Sequence, residues 1–440
     1  MIGAAEAAGQ ATDSIMASLH AASRGVVVDS PPGAGKSTLV VRAAAALADA
    51  GQRVMVIAQT NEQVDDLAVR LAARHPHIAA GRLAASDYAA PPRITSVAQI
   101  TVATKVDDLA GCAVVIGTGH KWAMISSSSH WPWAIIDEAY QMRSDLLLRV
   151  AERFDRALFV GDPGQLDPFS AVETERWKGL TWDPMQSAVA VMLRHNPDVM
   201  VHTLPVSWRL PASAAPVVSD AFYPFTGFTS ATGPGDRAVG FSTRPFGRNP
   251  LDQAVESAAA HGWALYELPA RHTVRTDAEA LQACAALAVR FVQRGAVLQE
   301  SEQAGVPVPL TPDRIAVGTA HRDQAQAIRA ILATGGVPGV TVDTANRLQG
   351  REFDITIMLH PLSGRRDATA FHLESGRLCV LASRHRHACV VVARAGIPEL
   401  LDAHPSTDPV HLNEPVKFPD GWAANQSFLA ALSHWKVPAQ

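Results

Sequence analysis

The sequence predicts an α/β protein of two tandem domains, each a mostly parallel sheet flanked by helices. Short apolar runs ending in a polar or small residue recur through both halves, stretches of helical period lie between them, and a glycine-rich turn follows the first run. In the first half the runs are Val26 to Asp29, Val54 to Ala58, Val114 to Thr118, Ala134 to Asp137 and Leu158 to Asp162. Unbroken apolarity of this kind fits strands covered on both faces, as in a parallel sheet. Val64, Leu67, Ala68 and Leu71 share one helical face, and Gly51 ends the helix that opens at Lys36. After about Pro205 the chain changes character, with Pro and Gly crowding Pro224 to Pro250. A second series of runs then follows at Ile315 to Thr319, Val340 to Asp343, Ile355 to Leu359 and Cys389 to Val392. The expected division is 1–204 and 205–440. The stretch from about 226 to 312 offers one helix, about Ala278 to Arg294, and otherwise reads as loop or a small insertion.

At 440 residues, 48% hydrophobic and 18% charged, the chain can build two or three cores. No uncharged apolar run of about 20 residues exists, so no membrane span is expected. Met1 to Gln10 lacks the basic flank and apolar centre of a secretory signal. The expected location is therefore cytoplasmic and the expected state monomeric. Cys112, Cys284, Cys379 and Cys389 lie far apart and read as reduced core residues rather than a metal site or disulfide frame. A net charge of −4 excludes a chain that binds nucleic acid through overall basicity, so a polyanion site must be a local cleft.

The chemistry begins at DSPPGAGKST, Asp29 to Thr38, where a strand feeds a glycine-rich turn that opens a helix. Gly33 and Gly35 let backbone N–H groups converge on phosphate oxygens, and the helix N-terminus adds its dipole. Gly33, Ala34, Gly35, Lys36, Ser37 and Thr38 form the expected nucleotide contact, with Lys36 on the β- and γ-phosphates and the Ser37 hydroxyl on Mg²⁺. The run Ala134 to Ala139 ends in two adjacent carboxylates that a strand sends in different directions. Asp137 is assigned to Mg²⁺ and Glu138 to general base. Gln165, in the turn after the next strand, can sense a γ-phosphate. ATP and Mg²⁺ are the expected cofactors.

The ordered segments SPPGAGKST, IIDEAYQ, VGDPGQLDP, LPVSWRLP, VDTANRLQGREFDI and RLCVLASRHR resemble the motifs of superfamily 1 helicases, most of all the branch containing the nonsense-mediated-decay helicase. They run from Ser30 to Arg386 in the family's order. The resemblance implies two RecA-like P-loop NTPase domains with ATP between them and single-stranded DNA or RNA across their top. It implies that Arg209 and Arg384 reach the γ-phosphate as arginine fingers, that Trp208 stacks on adenine, and that Glu352 holds the ribose. It further implies that Thr60, Asn61 and Thr118 touch the nucleic-acid backbone, and that Gln349 and Gly350 sit where strand and ATP meet. Movement in the 5′-to-3′ sense follows if the branch is right. The chain departs from the family at Ala320-His321, where a proline-aromatic pair is usual and Gln324 is left as the matching residue. The roughly 50 residues between Asn61 and Thr118 leave no room for a large duplex-splitting insert.

Other signals are assigned bland roles. Trp131 and Trp133 are expected to pack against a core strand. The tract Arg384-His385-Arg386-His387 is expected to be a finger with solvated neighbours before a strand at Cys389. Ser126 to Ser129 reads as a flexible loop, and Gln10 as a solvated residue of an Ala-rich helix. The function expected is an ATP-dependent single-stranded nucleic-acid translocase or helicase. The alternative is a nucleotide-switched ATPase that remodels a partner protein without moving along a strand.

Overall fold

The computed structural model describes residues 3–22, 24–126, 128–166, 168, 175–177, 180, 183–245, 249–301, 306–404 and 418–439. The chain forms two units. The first runs to Pro205, and the second begins at Val206 and also takes in Gly164–Leu166.

The first unit is an eight-stranded, wholly parallel sheet. Its strands are β1 (Gly25–Asp29), β2 (Val54–Ala58), β3 (Ala80–Leu83), β4 (Ile100–Ala103), β5 (Val114–Thr118), β6 (Trp131–Asp137), β7 (Phe154–Gly161) and β8 (Met200–Thr203), in the order β4-β3-β5-β2-β6-β7-β1-β8. Alternation along the strands builds a core on each face. Val26, Val28, Val56, Ile135 and Leu158 pack beneath α1 (Ala4–Ala21), α2 (Lys36–Asp49) and α3 (Asn61–Arg74). Val27, Met55, Ile57, Ile136 and Phe159 face the other way, onto Trp122, Leu147 and Val150. Trp131 and Trp133 are both buried, Trp131 edge-on to Trp122 at 5.0 Å and Trp133 under the Arg156 guanidinium at 4.7 Å, which is the packing role expected of them. Ser127 of the Ser126–Ser129 loop lies outside the described residues.

The second unit is organised on a six-stranded parallel sheet. Its strands are β12 (Trp263–Leu268), β15 (Ile315–Thr319), β16 (Thr341–Thr344), β17 (Phe353–Leu359), β18 (His385–Arg394) and β19 (Lys436–Pro438), in the order β16-β15-β17-β18-β12-β19. Two small sheets accompany it: β9 (Val206–Ser207) with β10 (Thr229–Ser230), and an antiparallel sheet ordered β11 (Arg237–Phe241), β13 (Ala296–Glu300), β14 (Val308–Pro309).

Two expectations are corrected here. The stretch 226–312 is not loop around one helix: it supplies β12, a strand inside the main sheet, the helix Pro250–His261, the helix Ala278–Gln293 and all three strands of the antiparallel sheet. The run Trp263-Ala264-Leu265-Tyr266-Glu267-Leu268 is short and interrupted by a carboxylate, so its apolar signal was weak, yet β18 and β19 cover both its edges. The tract before Cys389 is not solvated either. β18 starts at His385 and lies between β17 and β12, so His385 and His387 are buried.

Candidate active site

In a parallel sheet the strand C-termini share one edge, and there the first unit gathers its chemistry. β1 ends at Asp29, β6 at Asp137 and β7 at Gly161, each followed by a loop. Ser30 N–H donates to Gly161 O at 2.8 Å, tying the start of the phosphate loop to the end of β7. Gly33 and Gly35 have φ of 74° and 91°, left-handed values that glycine adopts without penalty. Gly35 is the N-cap of α2 and caps without a side chain, so the first N–H groups of the helix have no side-chain partner there. Gly161 is required for a different reason: a Cβ there would lie 3.0 Å from the Ala139 and Tyr140 nitrogens. A larger residue would push apart the two loops that carry the acids.

Lys36 Nζ stands 3.6 Å from Glu138 Oε1 and 3.9 Å from Asp162 Oδ2. Glu138 N–H donates to Asp137 Oδ1 at 3.0 Å, and Gln141 Nε2 donates to Glu138 Oε2 at 3.1 Å. Gln59, at the end of β2, donates to Asp137 O at 3.3 Å. Tyr140 OH donates to Asp29 Oδ1, and burial followed by that carboxylate pushes the phenol well above its ordinary range. Glu138 has φ 50°, ψ 47°, the left-handed region that a side chain occupies at a cost of about 1–3 kcal/mol. Ser37 is half-buried beside Lys36, Ala34 is buried and Thr38 is exposed.

Asp137 is buried, and its carboxyl is pushed up to about 7, first by loss of solvent and then by the Glu138 charge, with Lys36 opposing. A carboxylate so placed favours a nearby cation, and a hydroxyl with a carboxylate is the hard oxygen set that Mg²⁺ prefers. Ser37 and Asp137 therefore fit the metal expected of them. The ordinary Asp pKa is about 3.9, so between about pH 4 and 7 the metal-free folded chain keeps a proton that the unfolded chain has lost. Its stability falls as pH rises through that window and levels off above it. Asp137→Asn is expected to unfold at a higher temperature than the parent at pH 8 without Mg²⁺, the gap narrowing as pH falls below about 7 and closing near about pH 4. A gap independent of pH in thermal scans would contradict this.

Thr60 and Asn61 open α3. Thr60 accepts from Gln63 N–H at 3.3 Å in a capping box and is exposed, while Asn61 Oδ1 accepts from Arg82 Nη2 at 2.9 Å. Thr118 caps the helix Gly119–Ala123 through a bond from Lys121 N–H at 3.2 Å. Arg82 was not singled out in the sequence. It is 1% exposed, lies 3.7 Å from the Tyr88 ring centre, and donates to Asp65 Oδ1 at 3.1 Å and Leu83 O at 2.8 Å. It thus fixes Asn61 from inside. Arg82→Ala leaves Asp65 buried without that partner and is expected to cost about 3–5 kcal/mol in denaturant unfolding of the first unit. A loss below about 1 kcal/mol would mean that Arg82 supports nothing.

In the second unit Arg209 Nε donates to Glu352 Oε2 at 3.2 Å and Nη1 to Ser383 O at 3.4 Å, so the expected finger and the expected ribose acid pair with each other. Arg386 Nη1 flanks the same Glu352 at 3.6 Å. Trp208 is 47% exposed, its carbonyl held by Arg237 Nη2 at 2.9 Å. Arg384 is 1% exposed and donates to Val380 O at 3.0 Å and to Ser383 Oγ at 2.7 Å. Gln349 Nε2 donates to Gln165 Oε1 at 2.9 Å, bringing the expected sensor and the expected junction residue together. Gly350 has φ 79°. At the departure from the family pattern, His321 Nε2 lies 3.1 Å from His372 Nε2, and Gln324 Nε2 donates to Arg275 O at 2.8 Å. Gln10 is exposed and bonds Glu6 within its own helix.

Two family models, each describing an AAA domain, match residues 7–178 and 270–396. Each of these two stretches therefore matches an AAA domain. The first match covers the phosphate loop and both acids, and the second covers Gln349, Glu352 and Arg384. No curated protein matches the chain. Among solved structures, the PRRSV helicase is 13% identical, with a TM-score of 0.43 over 88% of this chain and 54% of its own. Arterivirus nonstructural protein 10, a helicase, is 12% identical, with a TM-score of 0.45 over 88% of this chain and 61% of its own. The complex of arterivirus nonstructural protein 10 with DNA gives 12%, 0.43, 89% and 65%. The chain spans between about half and two thirds of the length of these structures. No helix among the described residues is long and apolar enough to cross a membrane.

Proposed function

We propose that the chain is an ATP-hydrolysing, single-stranded nucleic-acid translocase or helicase. The observation that carries this reading is the cluster at the end of β1, β6 and β7: a glycine-curled loop, Lys36 within 4 Å of Glu138 and Asp162, and a buried Asp137. Lys36 neutralises the β- and γ-phosphates when these displace its carboxylate neighbours. Glu138 orients and deprotonates the attacking water, and Gln141 holds its second oxygen. Ser37 and Asp137 would hold Mg²⁺, which would supply charge neutralisation to the phosphates. Phosphoryl transfer is mainly positioning and charge stabilisation, so Lys36 alone leaves the equatorial oxygens under-neutralised, and Arg209 and Arg384 supply the remaining charge. Thr60, Asn61, Thr118 and Gln349 hold the strand, which makes hydrolysis depend on nucleic acid.

Steady-state ATPase with and without single-stranded DNA or RNA, at low salt, tests the coupling. The rate is expected to rise at least tenfold with one polymer. A rate unchanged by either contradicts the motor and supports instead a nucleotide-switched ATPase acting on a partner protein, a reading that the net charge of −4 favours.

A further inference from the structure

A second cluster in the second unit has no part in that chemistry. Glu300 ends β13, Asp354 lies in β17 and His387 in β18, so three strands of two different sheets meet there. All three residues are buried, and one ligand atom from each lies within 4.8 Å of the others. The register between β17 and β18 slips at this point: Phe353 faces His385 but Ile355 faces Ala388, so Arg386 and His387 together oppose Asp354 alone. Such a bulge re-aims a side chain.

The outer oxygens are already held. Arg314 Nε donates to Asp354 Oδ2 at 2.6 Å, and Arg386 Nη2 donates to Glu300 Oε2 at 3.2 Å. The inner ones are not: Glu300 Oε1, Asp354 Oδ1 and both ring nitrogens of His387 are buried without a hydrogen-bond partner. His387 Nδ1 is only 3.1 Å from Asp354 Oδ1, and Nε2 is 3.8 Å from Glu300 Oε1. At 3.1 Å His387 and Asp354 are close enough to interact, yet neither atom has an aligned hydrogen bond. Orphaned buried polar atoms are costly, and here four of them converge.

We propose that Glu300, Asp354 and His387 form a binding site for a divalent transition cation, of the kind that accepts one imidazole and two carboxylates with water completing the shell. The arginines act as an outer layer that turns the free oxygen of each carboxylate inward. The cation staples the antiparallel sheet to the main sheet of the second unit.

The probe is Co²⁺, followed by visible absorption and equilibrium dialysis on the full chain after chelator treatment, without nucleotide. One equivalent is expected to bind, and chelation is expected to lower the unfolding temperature of the loaded protein. His387→Gln is expected to weaken binding by about tenfold or more, and Asp137→Asn, at the phosphate site, to leave it unchanged. Should His387→Gln fail to fold, Glu300→Gln serves in its place and is expected to show the same loss. No bound equivalent in the parent, or equal binding in the folded Glu300 or His387 variant, overturns the site. Neither result bears on ATP hydrolysis, so this site and the motor reading stand or fall separately.

Discussion

Glu138→Gln lowers ATP turnover by about 10²–10⁴-fold while leaving ATP affinity within a small factor of the parent. The amide keeps the size of the side chain and still meets Gln141, but it can neither take a proton from water nor pair with Lys36 as a charge. Loss of that pair frees Lys36 for phosphate, so nucleotide affinity holds steady or tightens. Single-turnover hydrolysis beside equilibrium binding of a fluorescent ATP analogue separates the two effects. Near-normal turnover would show that Glu138 is not the base and that its left-handed backbone serves another purpose.

Arg384→Ala and Arg209→Ala each lower turnover by about 10³–10⁵-fold, the range that an arginine finger supplies. The two variants carry different structural burdens. Arg384 is buried and donates to Val380 O and Ser383 Oγ, so its removal also leaves buried acceptors short of donors and destabilises the second unit. Arg209 pairs with Glu352, whose side chain is 49% exposed, and solvent compensates much of that loss. A fall in turnover at an unchanged unfolding temperature in Arg209→Ala is therefore the cleaner reading of charge stabilisation. Turnover within threefold of the parent in both variants would leave the two guanidinium groups as structural ties only.

The parts of the fold legible in the sequence are those where burial on both faces writes an unbroken apolar run. β2, β5 and β15 occupy the residues expected, and β1, β6, β7, β16, β17 and β18 differ from expectation only at their ends. Strands whose runs are short or carry charge were not legible. β3 contains Arg82, which is buried by pairing with Asp65 and stacking on Tyr88 rather than by apolarity, and β12 contains Glu267. At the site, the glycines, Lys36 and the adjacent acids could be named because phosphate binding demands those residue types at fixed spacing. Asp29 and Tyr140 could not, since nothing local marks a residue whose partner is 111 positions away, as Tyr140 is from Asp29. His387 was misjudged for a related reason: its burial follows from β18 lying inside a sheet, a fact of topology rather than of neighbouring sequence.

Trapping of a transition-state mimic tests most directly the proposal that the Arg209 and Arg384 guanidinium groups complete the charge stabilisation of phosphoryl transfer. With ADP, aluminium fluoride, Mg²⁺ and a single strand, the parent is expected to retain labelled ADP through gel filtration. Arg209→Ala and Arg384→Ala are expected to bind ADP alone with parental affinity yet fail to trap it. Trapping by both variants at the parental level would contradict the account.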